Sequence, residues 1–136
     1  MVIQPNKVCP VVIRSQNAET SILAFRHPVA GNQLVKGSIE KLESPEEAAL
    51  RELFEESGIE DVRIARSIGV WESGYLSQVW HVFQCDTPKL PDQWVHRTED
   101  DGGRNFTFFW HPLEQVPGSC WHPLYRDALK WIAANL

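Results

Sequence analysis

Sulfur is scarce in this chain: one methionine and three cysteines, Cys9, Cys85 and Cys120, among 136 residues. An odd number of cysteines at irregular spacing does not make a disulfide framework. The fold is therefore expected to rest on a packed core, with reduced thiols as in a cytoplasmic protein. Long apolar runs are missing as well. No stretch approaches the ~20 residues that a membrane helix needs. Met1 to Val12 carries Pro5 and Pro10 where a secretory signal would have its apolar segment, so no signal peptide and no membrane partner are expected. Positive charge is also in short supply: 13 Lys and Arg against 18 Asp and Glu, a formal charge of −5. Extended nucleic-acid binding requires basic side chains on many phosphates and is not expected here. A small anionic substrate is compatible with this balance, because bound cations can invert a local field. The five histidines, His27, His81, His96, His111 and His122, show no zinc-ligand spacing, and no repeat or low-complexity segment is present.

The length fits one compact domain over residues 1–136, large enough for a core of its own. Val8 to Arg14 and Ser21 to Arg26 read as strands joined by a polar turn at Gln16, Asn17 and Ala18, which suggests a hairpin. Pro28 to Lys36 reads as a loop. Val62 to Trp71 and Leu76 to Gln84 read as strands about a turn at Ser73 and Gly74, and Phe106 to Trp110 as another. Pro88 to Gly103, with two prolines, a Gly-Gly pair and an acidic run, reads as a loop. A terminal helix is predicted from His122 or Pro123 to Asn135, its apolar side formed by Leu124, Ala128, Leu129 and Trp131 or Ile132.

The clearest element is a helix over Ser44 to Ser57. Ser44 suits the N-cap, Pro45 the first helical position, and Glu47 completes a capping-box pattern. Gly58 suits the left-handed residue beyond the helix end, with Ile59 folding back. Strands before, between and after two helices favour an α-β-α layered domain with a mixed sheet.

That helix carries Glu52, Glu55 and Glu56 at i, i+3 and i+4, on one face. Leu50, Leu53, Phe54 and Ala49 can face the sheet. No lysine lies between Glu43 and Arg63, and Arg51 is the only cation in the helix. It can pair with Glu55 four residues on or with Glu47 four residues back. Either way, one side of the helix carries an excess of negative charge. Such a face is either simply solvated or a nest of oxygen ligands for a hard divalent ion such as Mg²⁺.

The spacing around the acids is informative. Gly37 is followed after five residues by Glu43, and after seven more by Arg51, Glu52 and Leu53. Glu55 and Glu56 come next, then Gly58 and Ile59. This pattern matches every fixed position of the Nudix box, and the chain resembles the Nudix hydrolase family, of the MutT-like kind. The resemblance implies an α-β-α sandwich whose loop-helix-loop binds metal, Mg²⁺ with Mn²⁺ as the substitute. It implies Glu52, Glu55, Glu56 and the Gly37 carbonyl as metal ligands, with Glu43 and Arg51 bracing them. The implied chemistry is attack of water on a phosphorus of a nucleoside diphosphate linked to another group. The proton acceptor would be Glu52 or Glu55 within the box, or an acid outside it. Glu99, Asp100 and Asp101 lie in a suitable loop, and Glu99 is the preferred candidate.

Substrate contacts are expected from Lys36, Arg26 and Trp94. Lys36 precedes the box glycine in Val35-Lys36-Gly37, where the family's diadenosine-polyphosphate and diphosphoinositol hydrolases often carry Pro-Lys-Gly. It could reach an extra phosphate. Arg26 ends the second strand with His27. Trp94 stands in a polar loop and could stack on a base, as could Trp71, Tyr75, Trp80 or Phe106. The expected substrate is a nucleoside triphosphate or dinucleoside polyphosphate, handled by a monomer or homodimer. The alternatives are a catalytically silent nucleotide-binding regulatory domain and an isomerase or decapping role. The short chain lacks room for the added domains of typical decapping enzymes.

Overall fold

Alternation along the central strands decides the architecture. In the computed structural model, which describes residues 3–99 and 102–136, strand β3 (Glu19–His27) carries the run Ile22-Leu23-Ala24-Phe25, every member buried. Successive side chains on a strand point to opposite faces. Leu23 and Phe25 accordingly enter one hydrophobic cluster, and Ile22 and Ala24 another. The first cluster lies under helix α1 (Pro45–Ser57), through Ala48, Ala49 and Leu53. The second lies under α2 (Pro123–Asn135), through Leu124, Tyr125, Ala128, Leu129 and Ile132. Strands covered on both faces read as continuous apolar runs, and the result is the expected α-β-α layering.

The strands form two sheets. One is mixed, in the order β5 (Gly37–Ser38), β1 (Lys7–Val11), β7 (Val79–Asp86) and β6 (Arg63–Glu72), with β1 parallel to β7. The other is antiparallel, in the order β2 (Ile13–Gln16), β3, β9 (Asn105–Pro112) and β8 (Trp94–Arg97), with β4 (Gly31–Gln33) pairing β3. Among the described residues no helix is long and apolar enough to cross a membrane.

Several boundaries differ from those predicted. The single strand expected over Val8 to Arg14 is two, because β1 bonds to β5 and β7 while β2 bonds to β3. The expected hairpin is β2–β3. The strand expected from Leu76 begins at Val79, since Leu76 and Ser77 take left-handed conformations with φ of 47° and 57°. Two predicted loops contain short strands, β4 and β8. β8 is an edge strand that exists by pairing Trp94–Arg97 with Phe108–Asn105.

Helix α1 has the caps expected of it. The Ser44 hydroxyl accepts from Glu47 N at 3.0 Å, and Ser44 N donates to Glu47 Oε1 at 3.0 Å. Gly58 is left-handed (φ 77°), its N–H donates to Phe54 O, and Ile59 is buried beyond it. Ser44→Ala is expected to destabilise the fold by about 1 kcal/mol, read as a lower urea midpoint at unchanged slope. An unchanged midpoint would contradict the cap.

Candidate active site

Burying Ala48, Ala49 and Leu53 turns Glu52 and Glu55 toward Arg51 and the loop that runs from Gly37 to Ser44, while Glu56 acts on Lys36, Cys9 and Tyr125. Arg51 gathers the acids. Its Nε and Nη2 donate to Glu43 Oε2 and Oε1 at 2.7 and 2.9 Å, a bidentate pair. Its Nη1 donates to Glu52 Oε1 at 2.9 Å and Glu55 Oε2 at 3.2 Å, with Glu40 Oε1 at 3.7 Å. Nη2 also donates to the Ser38 carbonyl at 2.9 Å. Glu47, one of two partners expected for Arg51, instead closes the capping box. Glu40 and Ser38, absent from the sequence expectation, join the cluster.

The guanidinium and the backbone N–H of Glu40 hold the Glu43 carboxyl at about 2, well below its ordinary 4.5. Arg51 is pushed above its own ordinary range, first by its hydrogen bond to Glu43.

Glu52 is mostly covered, with 12% of its side chain exposed, whereas Glu55 has 37% exposed. Glu56 Oε2 is buried. Gly37 matters by having no side chain: a Cβ there would overlap the Glu52 carboxyl group. The box glycine thus makes the cradle in which that carboxylate rests.

Among the described residues, no three His, Cys, Asp or Glu side chains already surround a point where an ion could sit; Glu43, Glu52 and Glu55 turn to Arg51 instead. The donors nevertheless suit Mg²⁺ or Mn²⁺. They are carboxylate oxygens beside a backbone carbonyl, without thiolate or imidazole, and the Gly37 cradle brings one of them against the loop.

Glu55 and Glu99 line one cavity of about 310 Å³ with Phe54, His96, Arg97 and Thr98. Asp100 and Asp101 lie outside the described residues. β8, unforeseen as a strand, reaches the end of α1 here. Trp94 Nε1 donates to Ser57 O at 3.0 Å, and His96 Nε2 lies 3.1 Å from Glu55 O. These rings meet carbonyls that a helix end leaves without intrahelical partners. Trp94 is half-buried and stacks on Phe108, ring centroids 5.1 Å apart.

Lys36 donates to Gln78 Oε1 at 3.2 Å and lies over the Trp80 and Tyr125 rings. Trp80 is fully buried in the core under α2. Arg26 is exposed near the end of β3, opposite Asn32 and Thr107. His27 Nδ1 accepts from Val29 N and Ala30 N, each at 3.0 Å, and so closes the turn after β3.

Comparison with known proteins gives the family and the fold. The family model for the NUDIX domain matches residues 5–132. An RNA pyrophosphohydrolase of Aliivibrio salmonicida is 34% identical over 122 residues, covering 75% of this chain and 71% of that protein. One from Yersinia pestis is 31% identical over 146 residues, covering 93% and 82%. A NUDIX hydrolase from Nitrosomonas europaea superposes with a TM-score of 0.65 at 20% identity, over 96% of this chain and 72% of that one. An ADP-ribose pyrophosphatase from Streptococcus suis superposes with a TM-score of 0.64 at 14% identity, over 96% and 91%. These two structures share the fold. The chain belongs to the NUDIX family and is a Nudix hydrolase.

The Arg51–Glu43 pair has a pH signature. A depressed carboxyl pKa stabilises the fold above about 4.5, and that contribution is lost as pH falls toward about 2. Carboxyl ¹³C NMR is expected to show Glu43 titrating near 2 in the native protein and returning toward 4.5 in Arg51→Gln. Titration near 4.5 in both proteins would contradict the clamp.

Proposed function

We propose that the chain is a Mg²⁺-dependent hydrolase that cleaves a phosphoanhydride bond of a nucleoside triphosphate or dinucleoside polyphosphate. The observation that carries this reading is the gathering of Glu40, Glu43, Glu52 and Glu55 about the single guanidinium of Arg51. One positive charge leaves an excess of negative charge among these acids, and a divalent ion would balance it. Glu52, Glu55, Glu56 and the Gly37 carbonyl would hold that ion, with Mn²⁺ as the substitute. The chemistry it would supply there is neutralisation of phosphate oxygens and a lowered pKa for a water.

The chain's own side chains supply the remaining functions. Glu55 and Glu99, on the walls of one cavity, are the candidates to take the proton from the attacking water. Glu52 is the other box carboxylate able to do so. Glu43 and Arg51 brace the acids, as ligand-bearing side chains require. Lys36 supplies positive charge to a phosphate beyond the pair at the acidic helix, and Arg26 is a further cation for the same substrate. The half-buried Trp94, stacked on Phe108, is the aromatic candidate for a base. The free thiols Cys9, Cys85 and Cys120 suit a reducing, cytoplasmic setting.

A second reading comes from the relatives called RNA pyrophosphohydrolases: the polyphosphate would be the 5′ end of an RNA. Gripping one end requires few phosphate contacts, so the net negative charge is compatible with it.

Both readings are tested by measuring phosphate and pyrophosphate release with Mg²⁺, with and without chelator. The panel is a nucleoside triphosphate, a dinucleoside tetraphosphate, a 5′-triphosphate oligoribonucleotide and ADP-ribose. Glu55→Gln and Glu56→Gln are each expected to lower kcat by about 100-fold or more. Activity within a few-fold of the native protein in both variants would contradict the assignment. Nucleotide binding without turnover would instead favour the silent regulatory alternative.

A further inference from the structure

Lys36 stands one residue before the glycine that cradles Glu52, and neutral groups hold its ammonium. The nitrogen donates to Gln78 Oε1 and lies 5.7 Å from the Trp80 ring centroid and 5.9 Å from that of Tyr125. Both distances are within cation–π range. Burial, and then Lys7, lower its pKa, while Glu56 and Glu52 favour its charged form. An amide and two ring faces fix the position of the charge without cancelling it.

Gln78 is fixed in turn. Its Oε1 also accepts from Trp80 Nε1 at 3.0 Å. Only the oxygen of an amide accepts, so two donors converging on one atom decide which way the group faces. The NH₂ is turned away from both, and among the described residues it has no acceptor.

The turn that presents Gln78 is pinned as well. Gln78 O accepts from Ser73 N at 3.1 Å and Ser73 Oγ at 2.7 Å, and Gln78 N donates to Tyr75 O at 2.9 Å. The Asn6 side chain brackets the residue, donating to Ser77 O at 3.0 Å and accepting from Val79 N at 2.9 Å.

We propose that Gln78 is a specificity-determining residue: it sets the Lys36 ammonium in place and turns its own amide N–H groups outward beside it, forming a two-residue donor site for a phosphate beyond the pair at the acidic helix. This rests on the reading of Lys36 as a phosphate contact and extends it by naming the residue that fixes that lysine. The chemistry selected is a tri- or polyphosphate, whose outer phosphate is anionic and rich in acceptors. A substrate with a diphosphate alone has nothing to place there.

The test compares a nucleoside triphosphate with a nucleoside diphosphate sugar. Gln78→Glu keeps the shape and an acceptor for both donors, but it replaces the NH₂ with oxygen and puts a negative charge beside Lys36. The triphosphate-to-diphosphate ratio of kcat/KM is expected to fall about tenfold or more, with the loss in KM for the triphosphate. Gln78→Met, which removes the donors without adding charge, is expected to shift the ratio in the same direction. Calorimetric binding of inorganic tripolyphosphate relative to pyrophosphate, with Mg²⁺ present, reads the same preference independently of turnover and is expected to weaken in both variants. An unchanged ratio in both Gln78 variants, with a selective loss in Lys36→Ala, would overturn the role of Gln78 alone. An equal effect of Lys36→Ala on both substrates would remove the phosphate contact beneath it.

Discussion

Arg51 donates through two nitrogens to Glu43, through Nη1 to both Glu52 and Glu55, and to the carbonyl of Ser38. Glu43 and Ser38 belong to the segment between Gly37 and the helix; Glu52 and Glu55 belong to the helix. One guanidinium therefore joins the two parts of the site. Without it, acids drawn from both sides would repel one another at close range. Its planar fork suits the task, because it serves several oxygens from a single fixed side chain. The cluster is organised but not neutral, and its excess negative charge is the property on which the proposed chemistry depends.

That arrangement is useful only if the helix cannot shift. Three sets of contacts hold it. Ala48, Ala49 and Leu53 bury one side in the core. Ser44 and Glu47 fix the first turn, while Gly58 reverses the chain after the last. β8 then crosses the far end, where Trp94 and His96 meet the carbonyls of Ser57 and Glu55. Apolar burial fixes how the helix is rotated, and hence where its carboxylates point. The Glu52 carboxylate can rest against the loop only because Gly37 leaves room for it.

Local signals were the legible ones. The capping box and the proline mark the first turn of α1 and the left-handed Gly58 marks its end, each signal carried by residues at the boundary it sets, and the helix follows them closely. The alternation of Ile22 to Phe25 between two clusters was hidden in sequence, because burial on both faces removes the polar beat that marks a half-exposed strand. β8 was hidden for another reason. Prolines and glycines flank it, and it forms only by pairing with β9. Arg51 had two equivalent partners by spacing, and the choice between Glu47 and Glu55 was made by the cap, which claims Glu47. The setting of Lys36 depends on Gln78, 42 residues away, where the β6–β7 turn meets the start of the box. No pattern along the chain marks that encounter.

The most direct test of the account is calorimetric titration of the native protein with Mg²⁺ and Mn²⁺, with and without a non-hydrolysable nucleotide, beside Glu56→Gln. If divalent ions balance the excess charge on α1, saturable binding is expected at millimolar concentration or below, and it should weaken in the variant. An absence of binding to the native protein by either metal, with nucleotide present and absent, would contradict the claim that this acidic face is a metal site.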